Sequence, residues 1–260
     1  MQKIVEWVSR RLATPDVKTF APPRDRRIYI LWIALVWAGM IAGFAPDMKR
    51  FATETPPPPL ILHVHGFVYF AWLAAVTAQI ALIEVKRPAL HRTVGWWLVG
   101  LSAAIVPLGL VAAMVDMARG ALHTPYAPEF LGLEFQAPLI FCVLLWLAVE
   151  MRRDFAAHKR LMMLLTVVFL DPGTSRAFGF FSPIHPAGPF GWWLNYFWGN
   201  AALLVAMMGW DLWRHRRVHP ALLYGGGLIA IGEAVAVILE FSPWWHIAAA
   251  HLVSAWGWMG

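Results

Sequence analysis

Apolar residues run along this chain in long unbroken stretches, separated by short polar and basic turns. A helix that crosses a bilayer needs about 20 mostly apolar residues, each adding roughly 1.5 Å of rise. Seven stretches answer to that: residues 28–45, 60–83, 94–115, 130–149, 161–181, 190–213 and 221–240. A further apolar piece, 244–259, is shorter and contains His246 and His251, which suits an interfacial helix or a half-span. Ahead of the first stretch, Ile4, Val8 and Leu12 recur every fourth residue, with Val5 beside them and Lys3, Arg10 and Arg11 between. That spacing predicts a short amphipathic helix on a membrane surface. Residues 1–20 have no continuous apolar core and no small-residue cleavage site, so they do not read as a cleaved signal peptide.

The predicted fold class is therefore all-α: a polytopic bundle of seven transmembrane helices. The predicted division is a cytoplasmic amphipathic segment at 1–27, a seven-helix transmembrane domain at 28–240 and an apolar C-terminal segment at 241–260. Composition agrees. Hydrophobic residues make up 60% of the chain and charged residues 14%, where soluble domains carry about 25%. One cysteine, Cys142, lies in an apolar run, which rules out an intrachain disulfide.

The net charge of +6 would raise the question of nucleic acid in a soluble protein. Here the loops explain it. With the N-terminus inside, the inner segments hold 17 Lys and Arg and the outer segments 4, namely Lys49, Arg50, Arg119 and Arg176. This alternation follows the positive-inside rule and predicts a cytoplasmic N-terminus. Trp96 and Trp97 then fall at the inner interface, and Trp192, Trp193, Trp244 and Trp245 at the outer one. The expected partners are lipid, other membrane subunits or an electron-transfer partner, with no nucleic acid.

Three basic turns look alike. Residues 86–92, 152–160 and 214–220 each end a descending helix and restart an ascending one near a histidine: His91, His158 and His219. Imidazole at matched positions is a ligand type for haem iron or copper. His63 and His65 lie near the outer end of the second stretch, but two positions apart is about 200° around a helix, so only one of them can face a given metal. His65 joins His91, His158 and His219 as a candidate ligand of haem b or copper. His219 precedes Pro220, which biases it away from helical geometry and weakens an i,i+4 pairing with His215.

The fifth stretch carries Asp171-Pro172-Gly173-Thr174-Ser175-Arg176 after ten apolar residues. Proline there predicts a broken helix at mid-membrane, Asp171 needs a partner or water, and Arg176 is the expected counter-charge. Broken helices of this kind build transporter sites. Asn200, Glu233 and Glu134, with Gln136, reach comparable depths, so Asp171, Arg176, Asn200, Glu233 and Glu134 form the candidate substrate or proton site. Asp211, Glu84 and Glu150 sit at inner helix ends and read as surface partners of the basic turns.

Several signatures are missing. Residues 221–240 contain no lysine for a retinal Schiff base. No HExxH, CxxC, CxxCH, GxSxG or Walker A motif occurs in a usable context, and no enzymatic reaction is assigned. The segments His63-Val64-His65-Gly66, Leu90-His91-Arg92-Thr93-Val94-Gly95 and His158-Lys159-Arg160-Leu161-Met162, followed by Leu170-Asp171-Pro172, resemble an uncharacterised family of bacterial seven-helix inner-membrane proteins. That resemblance implies the bacterial inner membrane and no specific activity. The Leu-His-Arg-x-x-Gly element is also similar to elements in families related to b-type cytochromes and oxidase-assembly proteins. The second hairpin departs from that pattern, having no histidine to match His65. Three functions stand at this level: a haem- or metal-binding redox protein, a small-molecule or proton transporter or binder at the fifth helix, and a non-catalytic subunit of a membrane complex.

Overall fold

The computed structural model describes residues 2–16, 18–20, 26–123 and 128–257, and every regular element among them is helical. In chain order these are α1 (Gln2–Leu12), α2 (Arg26–Thr53), α3 (Leu60–Glu84), α4 (Pro88–His123), α5 (Leu131–Glu150), α6 (Phe155–Phe181), α7 (Gly188–His215), α8 (Pro220–Glu240) and α9 (Pro243–Gly257). Short 3-10 turns at Pro128–Phe130 and Met151–Arg153 flank α5. Six of the seven apolar stretches each lie within one helix, the stretch at 130–149 begins in the 3-10 turn one residue ahead of α5, and the amphipathic N-terminal segment forms α1.

The helices outrun the apolar stretches that announced them. α2 passes through Pro46 to Thr53, α4 starts six residues early at Pro88 and passes through Pro107, and α6 starts at Phe155. Hydropathy marks the part of a helix that meets hydrocarbon, and the hydrogen-bonded ladder continues into polar surroundings. Local chemistry sets the true ends. Asp154 caps α6 by accepting from the amides of Ala156 and Ala157. Pro189 sits in the first turn of α7, where its missing N–H costs nothing. Arg216 closes α7 in the left-handed region at φ 61°.

Among the described residues six helices are long and apolar enough to cross a membrane: those at Ile28–Thr53, Leu60–Glu84, Pro88–Arg119, Pro128–Arg153, Phe155–Phe181 and Pro220–Glu240. The chain is a multi-pass membrane protein. α7 has the length, at 28 residues, but Asn195, Asn200, Asp211 and its tryptophans dilute its apolar character, and it is not among the six. α9, at 15 residues, reaches only about 22 Å.

Two compact units divide the chain: Met1–Asp47 with Ile140–Ile231, and Met48–Leu139 with Gly232–Gly260. In the first, α6 is the central element, with every side chain from Met163 to Asp171 buried. Small residues let its neighbours approach. A Cβ on Gly43 of α2 would stand 1.9 Å from the backbone oxygen of Gly173, and one on Gly199 of α7 would stand 2.4 Å from the Thr174 hydroxyl. A Cβ on Gly225 of α8 would stand 2.4 Å from Leu164. Such contacts are how helices associate where lipid removes the hydrophobic drive between them. In the second unit α3 and α4 pack as a hairpin. The Trp72 indole donates to Ser102 Oγ at 2.8 Å, and Ser102 donates on to the Leu98 carbonyl. α9 packs on α4 and on Pro128–Phe130, where the Trp245 indole donates to the Glu129 carbonyl at 2.8 Å.

Candidate functional site

Buried polar side chains lie near the midpoints of α6 and α7. Asp171 and Thr174 of α6 are 5% and 4% exposed, and Asn200 of α7 is 1% exposed. Counted from the helix midpoints, Asp171 lies about 4 Å and Asn200 about 2 Å from the centre of its helix. Gly199 gives the Thr174 side chain room, and the Trp198 indole donates to the Thr174 carbonyl at 3.0 Å.

Two expectations fail here. α6 is not broken: it runs unbroken from Phe155 to Phe181 with Pro172 inside it. Three polar side chains of the following turn donate to carbonyls of this stretch. Ser175 Oγ and Arg176 Nη1 donate to the Pro172 carbonyl at 3.4 and 2.9 Å, and Thr174 Oγ1 donates to the Leu170 carbonyl at 3.3 Å. Nor is Arg176 the counter-charge of Asp171. In a continuous helix five residues turn through about 500°, which leaves the two side chains roughly 140° apart. Arg176 instead meets Asp47 of α2, Nε to Oδ2 at 3.3 Å, with its guanidinium 4.7 Å from the Phe44 ring.

The other members of the expected polar pocket belong to the second unit. Glu233 of α8 and Gln136 of α5 are buried, Glu134 is half-buried, and the His65 ring lies 4.0 Å from that of Tyr69. Asp171, Arg176 and Asn200 belong to the first unit.

The histidines have other employment. With the Gln79 amide oriented to satisfy both neighbours, its NH2 donates to His91 Nδ1 at 2.6 Å and to the His91 carbonyl at 3.0 Å. His158 Nδ1 lies 2.7 Å from the Ala148 carbonyl and so carries the proton there. His219 Nδ1 accepts from the Ala221 amide at 3.1 Å, which places its proton on Nε2. Nε2 then donates to Thr14 Oγ1 at 3.0 Å, and Thr14 donates to Asp154 Oδ1 at 2.5 Å. Both ring nitrogens of His219 are thereby occupied. His65 and His91, on successive antiparallel helices, stand roughly 20 Å apart, because Gln79 lies fourteen residues beyond His65 on α3. Among the described residues no group of three or more His, Cys, Asp or Glu could hold a metal ion.

A second buried cluster lies at the basic end of the first unit. Asp211 is 1% exposed rather than a surface partner of the turn. Arg160 grips it with two prongs, Nε to Oδ2 at 3.0 Å and Nη2 to Oδ1 at 2.6 Å, and places Nη1 on the Ala156 carbonyl at 3.1 Å. Asp211 Oδ2 also accepts from the His219 amide at 2.9 Å. The N-terminal segment closes over this cluster. The Thr14 amide donates to Asp154 Oδ2 at 2.7 Å, His215 Nδ1 donates to the Thr19 carbonyl at 2.8 Å, and the Phe20 ring lies 4.7 Å from both His215 and His219.

Burial, then the Arg160 charge, push His219 down to about 4, against the pull of Asp211 and Asp154. Burial alone would raise the Asp154 carboxyl, but the hydroxyl and amide of Thr14 and the Ala157 amide outweigh it and hold Asp154 below the usual carboxylate range. Sequence reading missed this cluster because its parts are 200 residues apart. The visible trace was Asp211 and His215, one helical turn apart beside a basic turn.

Next to the Arg160–Asp211 pair is a cavity of about 120 Å³. Tyr29, Trp32 and Leu35 of α2, Met163 of α6, and Met207 and Trp210 of α7 are among the residues that line it. No known protein family, curated protein or solved structure matches the chain.

Proposed function

We propose that this is a seven-span inner-membrane protein of bacterial type, N-terminus in the cytoplasm, that conducts protons past Asp171. The observation that carries this reading is the buried set Asp171, Thr174 and Asn200 at mid-depth on α6 and α7. Ionisable groups at that depth are costly, and where they occur they mark proton relays and ion paths. Thr174 and Asn200 supply hydroxyl and amide groups that can pass or hold a proton beside the carboxyl. α7 supports the seventh span by its length, and the 17-to-4 division of basic residues supports the orientation. The bacterial inner membrane rests on the resemblance of the histidine-containing segments.

A redox role through haem b or copper on His65, His91, His158 and His219 draws no support from the ring contacts at His91 and His219. The test is proton flux into proteoliposomes carrying an internal pH dye, under an imposed potential. The full chain should conduct above the lipid background, and Asp171→Asn should return the flux to that background with the protein still inserted. Equal flux from the variant would overturn the reading.

A further inference from the structure

Helix α1 meets the rest of the chain with one side. At about 100° per residue, Val5, Val8 and Leu12 fall within roughly 60° of one another. That side is covered: Leu12 is buried, and Val5 and Val8 are half-buried. The aliphatic stripe that predicts a membrane-surface helix is therefore engaged with protein. The opposite side is exposed and has its own order. Trp7 stands at its centre, 58% exposed. Lys3 and Arg11 lie about 40° to either side of Trp7 and Arg10 about 60° away, and all three are exposed. The Arg11 guanidinium lies 5.4 Å from the centre of the Trp7 ring. Glu6 is the one acidic residue of α1 and pairs with Arg10 at 3.9 Å. Three cations against one carboxylate leave this side basic.

The position of α1 decides what this side meets. Just beyond its end, the Thr14 amide and hydroxyl bond Asp154, and the hydroxyl also bonds His219. Asp154 and His219 immediately precede α6 and α8, and both of those helices are long and apolar enough to cross a membrane. α1 is thereby anchored where spanning helices end. With 11 residues it reaches only about 16 Å from that anchor. Headgroups are its permanent neighbours at that level. An indole with cations on both flanks suits them: tryptophan favours the membrane–water interface, and Lys and Arg are drawn to anionic lipid.

We infer that α1 docks on the bilayer surface through Trp7, Lys3, Arg10 and Arg11, and that this side of the helix binds the headgroups of anionic phospholipids. Lipid contact alone is inferred, independent of proton conduction and of which leaflet α1 faces. The experiment attaches an environment-sensitive NBD fluorophore at Trp7→Cys in the full chain carrying Cys142→Ala. The protein is reconstituted in nanodiscs of phosphatidylcholine, alone or mixed with phosphatidylglycerol. Emission should intensify and move to the blue in the mixed discs, stay aqueous in phosphatidylcholine, and return to aqueous in high salt. A basic residue beside an anionic surface contributes about fivefold to docking, so Arg10→Gln with Arg11→Gln should weaken it roughly 30-fold and remove the shift. The unlabelled wild type, with its indole in place, supplies a second reading: phosphatidylglycerol should slow trypsin cleavage after Arg10 and Arg11 by roughly tenfold or more. Aqueous emission in both kinds of disc, the result for a side that awaits a soluble acidic protein, would overturn the inference. So would an equal shift in both, a shift that survives the double substitution, or wild-type cleavage indifferent to phosphatidylglycerol.

Discussion

At His219 one imidazole ties the N-terminal segment to the ends of α6 and α8 through Thr14, Asp154 and the Ala221 amide. Its pKa falls from an ordinary 6.5 to about 4 in the folded protein. Between those values the unfolded chain binds the extra proton, so stability falls as pH drops from about 6.5 to about 4 and is level above that window. The full loss is of the order of 3 kcal/mol. Thermal unfolding in detergent should show that slope, and His219→Gln should flatten it; parallel slopes would contradict the assignment. Arg160→Met is expected to cost about 3–5 kcal/mol, since it strands a buried Asp211, and adding Asp211→Leu should restore most of that. Chemical denaturation of both variants would measure it. Residue positions were legible in sequence where depth along a helix decides burial, as for Asp171 and Asn200. Partners were not, because they depend on helix rotation: Arg176 faces Asp47, and Asp211 meets Arg160 from 51 residues away.

At the scale of elements, α6 carries the account. Its continuity through Pro172 was hidden from a sequence reading that weighs the lost amide and cannot see how tightly the neighbouring helices pack around the proline, with Gly43 against Gly173 and Gly199 against Thr174. Its crossing with α2 depends on Gly43 lying against Gly173. Gly43→Ala would drive a methyl into a backbone oxygen, separate the two helices and cost about 1–3 kcal/mol. Gly209→Ala on α7, where an added Cβ meets nothing within 4 Å, should instead be neutral or stabilise by up to about 1 kcal/mol. Melting temperatures of the two variants in the same detergent test this contrast; equal shifts would argue against a close crossing. Apolar run length made all seven long helices legible, while caps such as Asp154 set their ends outside those runs.

For the whole molecule, the alternation of basic turns predicts which loops face which side. A phosphatase reporter, active only outside, should be active when fused after residue 54 and inactive after residue 86, and a fluorescent reporter should behave in the opposite way. Fusions that fail to alternate would contradict the orientation. The division into two compact units was not legible, because each unit joins segments far apart in the chain and the boundaries fall inside α2, α5 and α8. At His91, His158 and His219, the histidines that suggested a cofactor, the rings meet Gln79, the Ala148 carbonyl and Thr14. The buried polar residues of α6 and α7 are the feature on which the proposed function rests, since an ionisable group at that depth is costly. Proton flux into proteoliposomes, wild type beside Asp171→Asn, addresses it most directly. The account predicts flux above the lipid background that Asp171→Asn removes; a wild-type protein that conducts no better than empty liposomes would contradict it.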